Sequence, residues 1–101
     1  KTYTYARIYK RGDILRIHKD RAACEISITL DLGGDKWGIW VLDRDENPVE
    51  VELNPGDALI YRGCETYHWR GKFEGGSHTQ VFMHYVNKSG PYSWAKDDLI
   101  Q

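Results

Sequence analysis

Residues 49–61 read Val-Glu-Val-Glu-Leu-Asn-Pro-Gly-Asp-Ala-Leu-Ile-Tyr. The first five side chains alternate between apolar and charged, which is the period of a β-strand with one buried face. Asn54-Pro55-Gly56-Asp57 follows, and proline then glycine at its two central positions suit a type II turn. Since a second apolar run begins directly after the turn, this stretch predicts two strands joined by a tight connection.

The remainder of the chain has the same character. Ile26, Ile28 and Leu30 alternate with polar residues, which predicts that these three apolar side chains are buried and that Ser27, Thr29 and Asp31 face solvent. Short segments rich in β-branched and aromatic residues predict eight strands, at residues 2–10, 14–19, 24–32, 36–43, 48–54, 57–63, 66–71 and 78–87. Helix is restricted to one or two turns within residues 93–100. This pattern predicts an all-β fold, a double-stranded β-helix of the jelly-roll or cupin-like type.

The length of 101 residues is that of one domain, spanning 1–101. A strand pattern begins almost at Lys1, so we expect the sequence to be a catalytic core from a longer chain. Lys and Arg number 14 against 15 Asp and Glu, and the longest basic run is Lys10-Arg11. These charges do not indicate a nucleic-acid surface.

Two cysteines, Cys24 and Cys64, are too few and too widely spaced for a disulfide framework or a thiolate zinc site. We expect both to be reduced. The sequence contains no apolar run long enough to span a membrane and no signal-like N-terminal pattern. It therefore predicts a soluble, cytoplasmic protein, and it does not indicate an oligomeric state.

The triplet His18-Lys19-Asp20 is the strongest candidate for a metal site. In extended backbone, residues i and i+2 point to the same face, so His18 and Asp20 can approach one ion together. His68 lies 48 positions after Asp20, beyond the Pro-Gly turn, and would arrive from another strand. Two imidazoles and one carboxylate form the facial triad of non-haem Fe(II) oxygenases. The alternative is that all three are structural polar residues, as is expected for the remaining pair, His78 and His84.

Three motifs in this order resemble the 2-oxoglutarate/Fe(II)-dependent dioxygenases of the prolyl 4-hydroxylase-like type. They are Tyr9-Lys10-Arg11-Gly12-Asp13-Ile14-Leu15 before His18-Lys19-Asp20, Pro55-Gly56-Asp57-Ala58-Leu59-Ile60-Tyr61 before His68, and Gly76-Ser77-His78. The resemblance covers almost the whole chain. It implies Fe(II) held by His18, Asp20 and His68, 2-oxoglutarate as cosubstrate, and hydroxylation of a protein side chain or a small molecule.

The resemblance also indicates residues for the cosubstrate. Tyr9 matches a tyrosine that often contacts 2-oxoglutarate in this family. The Lys or Arg that usually binds its far carboxylate is replaced by His78, which carries a full charge only when protonated. Gln80 and Arg7 are possible substitutes, and the best alternative is Arg70, which shares a strand face with His68.

Two other functions remain open at this point. A cupin-type metalloprotein, an isomerase or a dioxygenase without 2-oxoglutarate, would share the fold. Such proteins typically carry two histidines in the first motif, where this chain has His18 and Asp20. A non-catalytic binding module on the same scaffold is favoured by the missing basic residue at His78.

Overall fold

The computed structural model describes residues 1–97. Within them it contains eight strands and two short 3-10 helices, at Ala22–Cys24 and Ser93–Asp97. The strands are β1 (Tyr3–Lys10), β2 (Leu15–His18), β3 (Ile26–Gly34), β4 (Ile39–Leu42), β5 (Pro48–Val51), β6 (Ala58–Tyr61), β7 (His68–Arg70) and β8 (Ser77–Tyr85). Every predicted strand is present. The last part of the predicted helical segment, residues 98–100, lies outside the described range.

The strands form two four-stranded antiparallel sheets that enclose the interior. The long-stranded sheet has the order β1-β8-β3-β6, and the short-stranded sheet has the order β2-β7-β4-β5. Consecutive strands mostly lie in different sheets, as expected for a jelly roll. The prediction of an all-β double-stranded β-helix is confirmed.

The turn after β5 has the predicted conformation. Gly56 has a φ of 93°, a value that glycine adopts without strain. The Asp57 N–H donates to the Asn54 carbonyl at 2.9 Å, which closes the four-residue turn. The strands β5 and β6 belong to different sheets, so this turn carries the chain from one sheet to the other.

The predicted burial of β3 is wrong because the strand faces the other way. Ser27 and Thr29 have no exposed surface, whereas Ile26 is 38% exposed. The polar side chains of β3 point into the interior, where hydrogen bonds satisfy them. Ser27 Oγ pairs with His84 Nδ1 at 2.9 Å, and Thr29 Oγ1 accepts from Gln80 Nε2 at 2.6 Å.

The outer face of the long-stranded sheet is correspondingly apolar. Ile8 on β1 is 64% exposed and Ile60 on β6 is 66% exposed. The apolar core inside is small, with Tyr9, Phe73 and Phe82 buried against Tyr5 and Trp37. The interior is therefore divided between this aromatic cluster and a set of buried polar groups. No helix within residues 1–97 has the length and hydropathy that crossing a bilayer requires.

Candidate metal centre

The three predicted metal ligands meet where β2 and β7 pair at one end of the barrel. His18 ends β2 and His68 begins β7, and the two are direct partners in the antiparallel register. Their ring centroids are 4.3 Å apart. Asp20 follows β2 in a loop, where its N–H donates to the Gly63 carbonyl at 2.8 Å. Strand pairing and this loop hydrogen bond together orient the three side chains.

One carboxylate oxygen lies between the two imidazoles. Asp20 Oδ1 is 3.1 Å from His18 Nε2 and 3.3 Å from His68 Nε2. One ligand atom from each residue lies within 4.8 Å of the other two. A divalent ion with ligand bonds of about 2 Å therefore requires only small adjustments of these side chains.

Hydrogen bonds on the far side of each ring determine which nitrogen is available. His18 Nδ1 donates to the Arg16 carbonyl at 2.6 Å, and His68 Nδ1 donates to the Thr66 carbonyl at 2.8 Å. In a neutral imidazole this leaves the lone pair on Nε2, directed at the Asp20 carboxylate. The negative carboxylate repels both nitrogen lone pairs unless a cation lies between the three groups. The donor set thus fits a metal ion.

Exposure of the three ligands decreases towards the interior. The His18 side chain is 35% exposed, Asp20 is 17% exposed and His68 is 3% exposed. The triad borders a cavity of about 80 Å³ whose lining includes the side chains of Tyr3, Tyr5, Arg7, Tyr9, Cys24, Tyr61, Phe82 and His84. An ion held by the triad would have one face towards this cavity.

The phenols around the cavity remain protonated at neutral pH. Burial raises the pKa of Tyr5 to about 12. Burial, with the nearby Asp20 carboxylate, also raises the pKa of Tyr61. Both hydroxyls are therefore available as hydrogen-bond donors to an anionic ligand.

Tyr9 lies on the inner face of β1 and in the lining of this cavity. It is 6% exposed and packs edge-on against Trp37 at a centroid distance of 4.9 Å. Tyr9 thus belongs to the aromatic cluster and to the cavity wall at once.

His78 is on the inner face of β8, and protein atoms contact both of its ring nitrogens. Nδ1 donates to the Asp35 carbonyl at 2.8 Å, and Nε2 is 2.6 Å from Gln80 Oε1. The ring is 1% exposed. A ligand carboxylate would have to displace one of these partners to reach His78.

Arg70 presents the opposite situation. It is 2% exposed, and only Nη1 is bonded, donating to the Trp37 carbonyl at 2.6 Å. Nε and Nη2 are buried without a hydrogen-bond partner among the described residues. A buried guanidinium with unsatisfied donors is costly, because it has lost its water without replacing it. Arg70 is therefore a buried cation with two donors that lack a hydrogen-bond partner among the described residues.

Arg7 is the other cation near the site. It is exposed, lines the cavity directly, and its guanidinium lies 5.4 Å from the centre of the Tyr9 ring. Arg70 is not part of the cavity lining, and its burial lowers the pKa of its guanidinium from the usual value.

Sequence reasoning missed the role of His84 and Cys24 in shaping this cavity. Both line it, and both belong with Asp20 to a second group of potential metal ligands. Burial lowers the pKa of His84 and raises the pKa of Cys24 to about 11, so both are neutral at pH 7. The alternation along β8 already indicated that His84 and His78 share a face, but not that the face points inward.

Comparison with known proteins supports the fold. No protein-family model matches the chain, and no curated protein is significantly similar to it. A prolyl-4-hydroxylase of Pseudomonas putida has a similar structure, with a TM-score of 0.70 and 18% identity over 83% of this chain and 51% of that one. Fe(II)-HppE has a TM-score of 0.60 and 15% identity over 81% of this chain and 41% of that one.

A cupin domain of Bordetella pertussis has a TM-score of 0.57 and 7% identity over 83% of this chain and 80% of that one. The chain thus spans about half the length of the hydroxylase and less of HppE. Identities this low show a shared fold and leave the activity to be argued from the site. The chain has the cupin-like jelly-roll fold, and His18, Asp20 and His68 lie close enough together to hold a metal ion.

Proposed function

We propose that the protein is a non-haem Fe(II) oxygenase that couples decarboxylation of 2-oxoglutarate to hydroxylation of a substrate. The observation that carries this proposal is the convergence of His18 Nε2 and His68 Nε2 on Asp20 Oδ1, with both Nδ1 atoms tied to backbone carbonyls. Two imidazoles and a carboxylate on one side of an ion leave the opposite side open for exchangeable ligands.

A bound Fe(II) ion would supply the redox chemistry that activates dioxygen. The protein's own residues would bind and orient. His18 and His68 would supply neutral nitrogen ligands, and Asp20 would supply the negative charge. The protonated phenols of Tyr9 and Tyr61 would donate to a ligand in the cavity, and the aromatic wall would exclude water.

Arg70 is the residue that supports 2-oxoglutarate as the cosubstrate. It lies two residues after His68 on the same strand, so its Cα is about 7 Å from that of a metal ligand. A dicarboxylic acid bound at the metal could direct its far carboxylate to the free Nε and Nη2. Such a bond would be bidentate and charge-assisted. His78 is the second candidate for this contact, at the position that the family resemblance indicates.

The substrate would be a small molecule or a protein side chain that reaches the end of the barrel near His18. We propose a cytoplasmic protein, in keeping with its two unpaired cysteines.

The test is production of succinate from 2-oxoglutarate, measured by mass spectrometry with and without Fe(II). Iron-dependent succinate in the wild-type protein, lost in His68→Ala, supports the proposal. If the protein binds Fe(II) through the triad but forms no succinate with iron present, 2-oxoglutarate is not its cosubstrate. The cupin-type function without 2-oxoglutarate then takes precedence.

A further inference from the structure

A second set of metal-ligating atoms lies beside the triad. Asp20, Cys24 and His84 each present one ligand atom within 4.8 Å of the other two. All three line the same cavity as His18 and His68. Asp20 is common to both groups, whereas the other two residues come from elements outside the triad, since Cys24 ends the first 3-10 helix and His84 lies on β8.

The imidazole of His84 is oriented as a ligand would be. Its Nδ1 is hydrogen-bonded to Ser27 Oγ at 2.9 Å, and Tyr3 packs against the ring at a centroid distance of 4.6 Å. His84 is 3% exposed and lines the cavity. A metal-bound histidine usually has one ring nitrogen hydrogen-bonded to the protein, and Ser27 Oγ supplies such a contact at Nδ1 of His84.

The other two donors are also accessible from the cavity. Cys24 Sγ lies in the cavity lining and is 3.1 Å from the Tyr3 hydroxyl. The second oxygen of Asp20, Oδ2, lies beside Gly63. A β-carbon added at Gly63 would come within 2.8 Å of this oxygen and within 2.4 Å of Ser27 Oγ. Glycine at position 63 keeps this space open.

The two groups differ in the ions they favour. The triad offers two nitrogens and an oxygen, a set suited to Fe(II) and Mn²⁺. The second group offers a thiolate sulfur, an imidazole nitrogen and a carboxylate oxygen. Sulfur with nitrogen selects thiophilic ions such as Zn²⁺, which commonly takes Cys, His and Asp at bond lengths of about 2.0 to 2.3 Å.

We propose that Asp20, Cys24 and His84 form a second metal position that binds Zn²⁺ or a similar thiophilic divalent ion. The position does not depend on the oxygenase activity, because it requires neither His18 nor His68. It shares Asp20 with the triad, so the two positions are thermodynamically coupled through one carboxylate. Binding releases the Cys24 proton, since only the thiolate is a ligand.

The experiment separates the two positions by removing the histidines of the triad. In His18→Ala/His68→Ala protein, Cys64→Ser leaves Cys24 as the one remaining cysteine. Zn²⁺ is loaded into this protein and its coordination is measured by X-ray absorption. One Zn–S distance of about 2.3 Å supports the proposal. A first shell of nitrogen and oxygen alone overturns it, and this outcome does not rely on any change at Cys24.

A titration with Co²⁺ gives a second, independent measurement. The near-ultraviolet charge-transfer band of a cobalt–thiolate bond is expected in His18→Ala/His68→Ala protein and in the same protein with Cys64→Ser. In His18→Ala/His68→Ala protein that carries Cys24→Ser in place of Cys64→Ser, the band should disappear and Zn²⁺ affinity should fall at least about tenfold. Circular dichroism verifies that each variant is folded. A band that persists without Cys24 and vanishes without Cys64 would contradict the proposal.

Discussion

The inner faces of the two sheets use polar side chains in opposite ways. In the long-stranded sheet they bond to one another across β3 and β8. Gln80 joins His78 and Thr29 at 2.6 Å each, and Ser27 bonds to His84 at 2.9 Å. In the short-stranded sheet, the Nε2 atoms of His18 and His68 face the Asp20 carboxylate, and Arg70 keeps two donors without partners among the described residues.

This difference separates polar side chains that satisfy one another from polar side chains that still lack a partner. Buried polar groups that satisfy one another specify the shape of the interior. Buried groups without a partner raise the free energy of the folded protein until a ligand supplies one. We therefore expect the metal ion of the triad and its anionic ligand on the side of the short-stranded sheet.

The largest expected effect is on metal binding when a ligand on the short-stranded sheet is removed. His68→Ala should weaken binding of Mn²⁺ at the triad at least about 100-fold, because one of three protein ligands is lost. His78→Gln on the long-stranded sheet is the matched control and should leave Mn²⁺ affinity nearly unchanged, because His78 belongs to neither group of potential metal ligands. Calorimetric titration measures both. Equal losses in the two variants would remove the distinction between the sheets.

The next effect concerns Arg70. Arg70→Met should weaken 2-oxoglutarate binding to the metal-loaded protein by about 2–5 kcal/mol, which is roughly 30-fold to several thousand-fold. The same change should leave the ligand-free protein equally stable or more stable, because it removes a buried charge whose donors are only partly satisfied.

Two controls identify the carboxylate anchor. Arg7→Met removes the exposed cation that lines the cavity, and His78→Gln removes the candidate from the family resemblance while keeping a hydrogen-bonding side chain. Affinity is measured by fluorescence or calorimetric titration of 2-oxoglutarate. Normal binding by Arg70→Met, with weak binding by either control, would assign the anchor to that other residue.

A smaller effect is expected where the two inner faces meet, at Gly63. A β-carbon there would approach Ser27 Oγ to 2.4 Å, the Cys24 carbonyl to 2.5 Å and Asp20 Oδ2 to 2.8 Å. Gly63→Ala should therefore lower the free energy of unfolding by about 1–3 kcal/mol. Gly71→Ala is the control, because a β-carbon at that position would have no atom of the described residues within 4 Å. Urea denaturation compares the two, and equal stabilities would show that the space around Gly63 is not tight.

The smallest effect is the pH dependence contributed by His84. Burial lowers the pKa of His84 below its usual value of 6.5, so the unfolded chain binds a proton at this residue more readily than the folded protein does. The free energy of unfolding should fall as the pH falls below about 6.5. In metal-free His84→Gln protein, the decrease between pH 7.5 and pH 5 should be shallower. Parallel curves for the two proteins would contradict a buried neutral His84.

The residues alone predicted the architecture and the three residues that meet at the barrel end. Eight strands, the Pro55-Gly56 turn and the pairing of His18-Lys19-Asp20 with a distant His68 follow from local patterns. Turn residues and the two-residue period of a strand depend only on residues that are close in sequence. A single sequence is therefore sufficient to predict the turns and strands. These same patterns carry the resemblance to the 2-oxoglutarate dioxygenases.

The sidedness of the strands required the packed structure. The alternation along β3 defines two faces of the strand but not which face is buried. The usual preference for burying apolar side chains predicted that the isoleucine face is buried, whereas Ser27 and Thr29 lie inside. Hydrogen bonds from β8 stabilise these polar groups in the interior. The local sequence around β3 does not predict these bonds, because their partners lie on a strand about 50 residues further along the chain. Contacts between residues that are distant in sequence also determine three other features. They occupy both ring nitrogens of His78, leave two donors of Arg70 without a partner among the described residues, and place His84 near Asp20. Long-range packing creates these environments, because a side chain's chemistry depends on which atoms the fold brings within hydrogen-bonding distance.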